Sequence, residues 1–434
     1  MTPTYVAALM FGALFIGLLV RIPVSFSLAI ACLLPIVLDS RLDLTIMVST
    51  MFTSFNSFLL LAVPFFLLAA NLMNCGGITD RMFNWTRTMV GHLPGSLGQI
   101  NVVLSVLFAG VSGSSTADAA SQAKLFINAQ VKEGYDMSFS IAITAVSAIL
   151  AVIIPPSILM IVWGGVFNTS INQLYMAGVL PGLLLGGVQM LIVYTYAKLR
   201  NYPTYKRATF KEFLSATWIA IPAMITPGII VGGKLMGWFT ATESGAMAVL
   251  YALFLTAVIY REVNWKQIKT VLFETGTFSA ISLFCLGTAS VFGWLLAYYK
   301  IPQALVGFIA VYDFGPVAMG LVVAGVFLVV GCFLDAIPAI VIVGTVLQPM
   351  VAQSGLDPVH FGIIGITSLA FGLITPPYGL CLLISCAAVN VKVVTVMKDV
   401  GIMLLPMLMV LLAMIMLPDV FLYLPRLVTE GGFK

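Results

Sequence analysis

The sequence predicts an all-α membrane protein made of two inverted repeats, with about ten spans, two re-entrant helical hairpins and two helices broken by paired prolines. Three observations carry that expectation. The chain of 434 residues is 61% hydrophobic and 8% charged, with a mean hydropathy of +1.11, which is more apolar surface than one soluble core hides. Two Pro-Pro pairs interrupt long apolar runs. Landmarks of the first half also recur about 220 residues later in the same order. Asp118 and Asp335 are 217 apart, Pro155 and Pro376 221, Ile78 and Ile301 223, and Pro23 and Thr242 219.

A helix needs about 20 apolar residues to cross a bilayer core. Apolar runs between polar punctuation place spans near 5–20, 24–38, 52–74, 138–168, 175–197, 214–236, 240–260, 274–297, 360–388 and 400–424. The first run lacks the basic leader and small-residue cleavage site of a signal peptide, so it reads as a span. Segments 97–130 and 316–352 each hold two apolar stretches, each too short to cross. The tips between them are Gly110-Val111-Ser112-Gly113-Ser114-Ser115-Thr116 and Gly331-Cys332-Phe333-Leu334-Asp335, and a hairpin returning to its own side fits both. Spans 138–168 and 360–388 are interrupted by Pro155-Pro156 and Pro376-Pro377. Adjacent prolines remove two backbone donors and bar helix from the preceding residue, so each span becomes two half-helices joined by unwound backbone. Such backbone is tolerated at membrane depth only against protein or a wet cavity. The repeats divide as 1–210 and 211–434. No soluble domain remains, because the longest polar stretch, Lys198 to Lys211, reads as a loop.

The net charge of +4 comes from basic residues at the ends of apolar runs, which argues against nucleic acid as a partner. These residues set orientation instead. With a periplasmic N-terminus, Arg21, Arg81, Arg87, Lys124, Lys132, Lys198, Arg200, Lys206, Arg207, Lys211, Arg261, Lys266, Lys269, Lys392 and Lys398 fall on the cytoplasmic side, 15 of the 20 basic residues. The C-terminus is then periplasmic too. The same path puts the base of the first hairpin at the cytoplasm and that of the second at the periplasm. The repeats are therefore inverted, as in the inverted-repeat ion-transporter fold, where broken helices meet at the midplane. The six cysteines, Cys32, Cys75, Cys285, Cys332, Cys381 and Cys386, lack metal-binding spacing and read as small buried hydrophobes. No GxxxxGK[ST] loop points to ATP.

The chemistry lies at the half-helix ends. A helix N-terminus exposes N–H groups and holds a carboxylate without an Arg. A C-terminal end offers carbonyls, which with hydroxyls form an oxygen cage for a small cation. Ser112, Ser114, Ser115, Thr116 and Thr375 supply hydroxyls, and Gly110, Gly113, Gly331, Gly372 and Gly379 permit close backbone approach. Asp118 and Asp335 either neutralise a cation or cap a half-helix. Taken singly, these residues are equally well explained by packing; it is the four interrupted elements together, repeated in both halves, that point to a site. Glu243 reads as a first-turn acid. Gly110-Val111-Ser112-Gly113 matches the short GxSG pattern of intramembrane serine proteases, but that chemistry needs a His base. His92 and His360 read as loop or interface residues, so the chain is not expected to be an enzyme. A channel would need a continuous polar path, whereas polarity here is concentrated at paired tips.

Several long motifs occur in order: Gly91-His92-Leu93-Pro94-Gly95, Phe108 through Ala120, Ile153-Ile154-Pro155-Pro156-Ser157, Phe239-Thr240-Ala241-Thr242-Glu243, Asp357-Pro358-Val359-His360-Phe361-Gly362 and Gly372-Leu373-Ile374-Thr375-Pro376-Pro377. From about Gly17 to Pro425 the chain resembles the large membrane subunit, the DctM-type permease, of tripartite ATP-independent periplasmic (TRAP) transporters. The resemblance implies sodium-driven uptake of an organic acid anion, such as a C4-dicarboxylate, sialic acid or another sugar acid, through the inner membrane by an elevator motion. It implies a periplasmic substrate-binding protein, a small four-helix membrane subunit and the lipid bilayer as partners, and no cofactor besides sodium as coupling ion. A standalone ion-coupled carboxylate carrier would share the other features. Carried over by position, Ser112, Gly113, Ser114, Ser115, Thr116 and Pro155 would bind cation in the first half, and Gly331, Asp335, Gly372, Thr375 and Pro376 in the second. The anion would meet Ser115, Thr116, Asp118, Pro156, Ser157, Ala336, Pro377 and Tyr378. The chain departs from the family's usual residues at Ser115-Thr116 and near Cys381.

Overall fold

The computed structural model describes residues 2–20, 22–233, 236–303 and 314–430. Arg21, one of the orientation residues, and the C-terminus lie outside them. The described chain is helical from end to end. Helices α1 (Pro3–Leu19) and α2 (Val24–Leu38) stand where the first two spans were expected, and they pack together. The expected span at 52–74 is corrected to α3 (Leu44–Phe55), a 3-10 turn at Phe58–Leu61 and α4 (Ala62–Cys75). Asp43 starts α3 early by accepting from the Thr45 amide at 2.8 Å. The Asn56-Ser57 pair, whose side chains compete for backbone hydrogen bonds, ends it. Helix α5 (Ile78–Val90) was not expected. It turns 73° from α4 at Gly76-Gly77, with Gly77 at φ +65°. It buries Ile78, Met82 and Trp85 while exposing Asn84 and Arg87, the pattern of a helix lying along a surface.

The first hairpin is α6 (Ser96–Ser112) and α7 (Ser115–Gln122), the latter continuing through a π turn into α8 (Asn128–Lys132). The first broken helix is α9 (Met137–Ala148) with α10 (Leu150–Ile153), then α11 (Ile158–Phe167). Next come α12 (Ile171–Arg200), α13 (Phe210–Pro227), α14 (Ala241–Phe254) and α15 (Trp265–Tyr298). Capping boxes at Thr240/Glu243 and Asn264/Gln267 open the last two, so Glu243 is the first-turn acid expected. The second hairpin is α16 (Pro316–Gly331) and α17 (Ala336–Ser354), and the second broken helix is α18 (Pro358–Gly372) and α19 (Leu380–Ala387). Helix α20 (Val393–Met416) stops before Pro418 and is followed by α21 (Pro418–Phe421) and α22 (Tyr423–Glu430), so the run expected at 400–424 is three helices. Six described helices are long and apolar enough to span, eight with the two bent pairs, and one of the six is α17, which corrects the expectation that both arms of the second hairpin are too short to cross. Helices α1 and α2 are apolar but shorter.

The two hairpins enter from opposite ends of α12, whose 30 residues extend about 45 Å. At the Arg200 end, the Tyr202 ring lies 4.3 Å from that of Tyr135, and the Ser96 amide donates to the Pro203 carbonyl. Arg200 pairs with Asp136 at 2.6 Å, and Asp399 accepts from Tyr196 and Ser138. The Tyr202 hydroxyl, then Arg200, hold the Asp136 carboxyl below the usual carboxylate range. At the Ile171 end, Ser170 and Gln173 share a cavity of about 390 Å³ with Gln348 and Asp357 from the base of the second hairpin.

Trp163 on α11 joins the two broken helices. It is fully buried, and its ring fills a notch at Gly362 and Gly365 of α18, where added Cβ atoms would come within 3.0 and 2.6 Å of it. The rings of Phe361, Phe167 and Phe327 surround it at 4.8, 4.9 and 5.6 Å. Trp163→Ala is expected to cost about 3–5 kcal/mol by leaving a cavity no neighbour fills, read as a lower thermal midpoint of the solubilised protein.

Two readings of single residues are corrected. Cys75 is exposed, because it ends α4 at the bend, while the other five cysteines are buried. His360 is neither loop nor interface. It is 2% exposed, and its Nε2 meets the Met414 carbonyl at 2.8 Å, tying α18 to α20.

Candidate functional site

The first hairpin turns at Gly113, whose φ of +60° ends α6. Ser114 then caps α7, accepting from the Ala117 amide, and its hydroxyl pairs with that of Thr116 at 3.1 Å. In the second hairpin Asp335 caps α17, its Oδ1 accepting from the Ala336 amide at 2.8 Å. Each broken helix holds its own tip through the main chain. The Ile158 amide donates to the Gly113 carbonyl at 3.3 Å, and the Tyr378 amide to the Cys332 carbonyl at 2.9 Å. Both Pro-Pro bonds, 155–156 and 376–377, are cis. A Cβ on Gly113 would lie 2.8 Å from the Pro156 carbonyl oxygen, so tip and break touch backbone to backbone.

The tips meet in a cavity of about 100 Å³. Gly113, Ser114, Ser115 and Thr116 line it from the first hairpin, and Asp335, Ala336 and Ile337 from the second. Val152, Ile158 and Leu159 come from the first broken helix and Leu373 from the second. Three helices, α7, α11 and α17, begin at this cavity, at the caps Ser114, Ser157 and Asp335. Each N-terminus carries unsatisfied N–H groups and roughly half a positive charge. Among the described residues, no Lys or Arg lines the cavity. The three helix N-termini suit a carboxylate, while Asp335 in the same lining suits a cation.

The remaining candidate residues sit behind this lining. Ser112 accepts from the Ser114 amide and lies beside Asp118, which is 2% exposed with Oδ2 unpartnered among the described residues. Ser157 is fully buried, its hydroxyl donating to the Val152 carbonyl at 2.7 Å and accepting from the Met160 amide. Gly331 and Gly372 face one another between α16 and α18, where a Cβ on Gly372 would fall 2.5 Å from the Gly331 carbonyl carbon. Thr375 Oγ1 donates to the Phe371 carbonyl at 2.7 Å. Pro155 and Pro156 form the first break, Pro376, Pro377 and Tyr378 the second, and none of the five lines the cavity. Cys381 lies against Ser115, and α19 packs on α7 and α9, so elements from the two halves interlock. No histidine pairs with Ser112 among the described residues, and the His360 ring is engaged by the Met414 carbonyl.

Sequence reasoning missed the wall that faces the tips. Val63 and Leu67 of α4 and Phe278 and Ser282 of α15 complete the cavity, each pair one helical turn apart. Only Ser282, a hydroxyl inside a long apolar run, gave any signal. A buried polar tie was also missed: Asn101 donates to Thr144 at 2.8 Å and accepts from Ser147, while Ser105 donates to Gln122 at 2.9 Å. It fastens α6, α7 and α9 together, and polar residues at 101 and 105 in an apolar run were its trace.

The family model of the tripartite ATP-independent periplasmic transporter, DctM component, matches residues 11–420. The chain is 36% identical over 422 residues to the sialic acid TRAP transporter large permease protein SiaM of Vibrio cholerae, covering 97% of this chain and 98% of that one. It is 33% identical over 412 residues to the 2,3-diketo-L-gulonate TRAP transporter large permease protein YiaN of Escherichia coli, covering 94% and 96%. The crystal structure of the Alcanivorax borkumensis YdaH transporter, at 14% identity, matches with a TM-score of 0.57 over 91% of this chain and 90% of that one, and so shares its fold.

Proposed function

This chain belongs to the tripartite ATP-independent periplasmic transporter family as its DctM component, a multi-pass transport protein and not an enzyme, and from that premise we propose sodium-coupled uptake of a small organic acid anion. The observation that carries the solute class is the convergence of three helix N-termini on one cavity that no cationic side chain lines among the described residues. The carboxylate rests between Ser115, Thr116 and Ala336. The hydroxyls of Ser112, Ser114, Ser115 and Thr116, the carboxylate of Asp335 and the carbonyls at the two breaks supply the oxygen ligands for sodium. The relatives named for sialic acid and 2,3-diketo-L-gulonate support an acid of this kind.

The packing supports an elevator form of alternating access. The hairpins and broken helices interlock through Trp163, Cys381 and the Gly331–Gly372 contact, and move as one body against α4 and α15. The halves 1–210 and 211–434 are the two inverted repeats, set in the inner membrane with both termini periplasmic. A periplasmic binding protein delivers the anion, and a small four-helix membrane subunit completes the transporter.

Proteoliposomes holding this chain with its small subunit, supplied with loaded binding protein, test the reading. An inward sodium gradient is expected to drive accumulation of the labelled acid, and collapsing that gradient to return uptake to background. Accumulation driven by a proton gradient alone would reject sodium, and equal uptake without the binding protein and small subunit would favour a standalone carrier.

A further inference from the structure

We propose that a basic recess between α5 and the start of α13 binds the headgroup of an anionic phospholipid, a phosphatidylglycerol-type phosphodiester, from the adjoining leaflet. The recess has a volume of about 1010 Å³ and draws on Arg81, Arg87, Lys206, Arg207 and Lys211. Glu212 is the one carboxylate in its lining, and it is engaged in a capping box, accepting from the Thr209 amide at 2.7 Å. Arg81 pairs with Glu262 at 2.7 Å. The other four cations form no ion pair among the described residues; Arg87 acts on the Glu212 carboxylate from beyond ion-pair distance, and Lys206, Arg207 and Lys211 are left for a ligand.

The walls are fixed. Trp85 on α5 donates to Thr217 on α13 at 2.9 Å. The linker between α12 and α13 is tied down where the Tyr205 amide donates to Ser96 Oγ at 2.8 Å and to the Gly91 carbonyl at 3.1 Å. The occupant therefore sits where two connections meet, α5 leading into the first hairpin and the linker leading out of α12.

Helix α13 identifies the source of the phosphate. Lys211, Ser215 and Ile219, one turn apart, face the recess. The next stripe, Phe210, Leu214 and Trp218, has the same spacing and is exposed at 78%, 58% and 79%. A phosphodiester in the recess places its acyl chains along that apolar stripe, with Trp218 at the level where indoles settle in bilayers. A free phosphate would make no use of the stripe. Basic loops mark this side as cytoplasmic, the leaflet whose anionic lipids attract such clusters.

Native mass spectrometry of the permease complex, titrated with phosphatidylglycerol or with phosphatidylethanolamine of the same acyl chains, tests the proposal. Wild type is expected to retain phosphatidylglycerol about tenfold better. The triple variant Lys206→Ala/Arg207→Ala/Lys211→Ala is expected to lose that preference. A matched variant at exposed cations outside the recess, Lys266→Ala/Lys269→Ala/Lys398→Ala, is expected to keep it. Retention of both lipids alike by wild type, which is also the outcome if the small subunit covers the recess, overturns the proposal. Equal loss in the matched variant, or displacement of lipid by millimolar inorganic phosphate, overturns it as well. If the triple variant does not fold, wild-type retention decides: it should fall steeply with rising ionic strength, and a flat response rejects the site.

Discussion

Replacing Gly113 with leucine is expected to lower sodium-driven uptake by about a hundredfold or more while the protein still inserts and elutes as a single species. Two effects combine at this position. A φ of +60° costs a side chain roughly 1–2 kcal/mol. A Cβ would also stand 2.8 Å from the Pro156 carbonyl oxygen, a main-chain atom that cannot rotate aside. The tip must therefore move away from the break that holds it, and the N-termini of α7 and α11 lose their common focus. Gly113→Ala carries the same strain with less bulk and is expected to retain measurable uptake. Near-normal transport by the leucine variant, measured in the same vesicles, would remove the first tip from the site.

Asp335 gives the second large effect, and two substitutions separate its roles. The residue caps α17 and also faces the cavity. Asparagine ranks with aspartate as an N-cap, whereas alanine sacrifices about 0.5–2 kcal/mol of helix stability. Asp335→Asn should therefore keep the thermal midpoint and Asp335→Ala should lower it. If the carboxylate neutralises the coupling cation, both lose sodium-dependent uptake, and that is the expected result. Wild-type transport by Asp335→Asn would reduce the residue to a helix cap.

The features legible in the sequence were those imposed by local chemistry. Paired prolines cannot continue a helix, so both breaks were visible, and Gly113-Ser114 in an apolar run marked a tip. Elements decided by contact were not visible. Helix α5 was hidden because a surface helix of 13 residues with Asp80, Asn84 and Arg87 reads as a polar interruption. The split of 52–74 was hidden because Asn56-Ser57 is weak punctuation inside a strong apolar run. At the site, six candidates line the cavity: Gly113, Ser114, Ser115, Thr116, Asp335 and Ala336. Val63, Leu67 and Phe278 carry no sign of that duty, since an apolar side chain looks the same whether it faces lipid, core or solute. Gly331 and Gly372 were read as permitting close backbone approach, and the structure places them in such a contact between two helices.

The hydrogen bonds from Ile158 to Gly113 and from Tyr378 to Cys332 run amide to carbonyl. Every residue except proline offers the same amide, so the mounting of each tip is indifferent to which side chain stands at 158 or 378. Ile158 can be exchanged where it borders the cavity, and Tyr378 where it stands 40% exposed, without unfastening the frame. A transporter built this way can be retuned toward a different acid by small steps, each leaving a working machine.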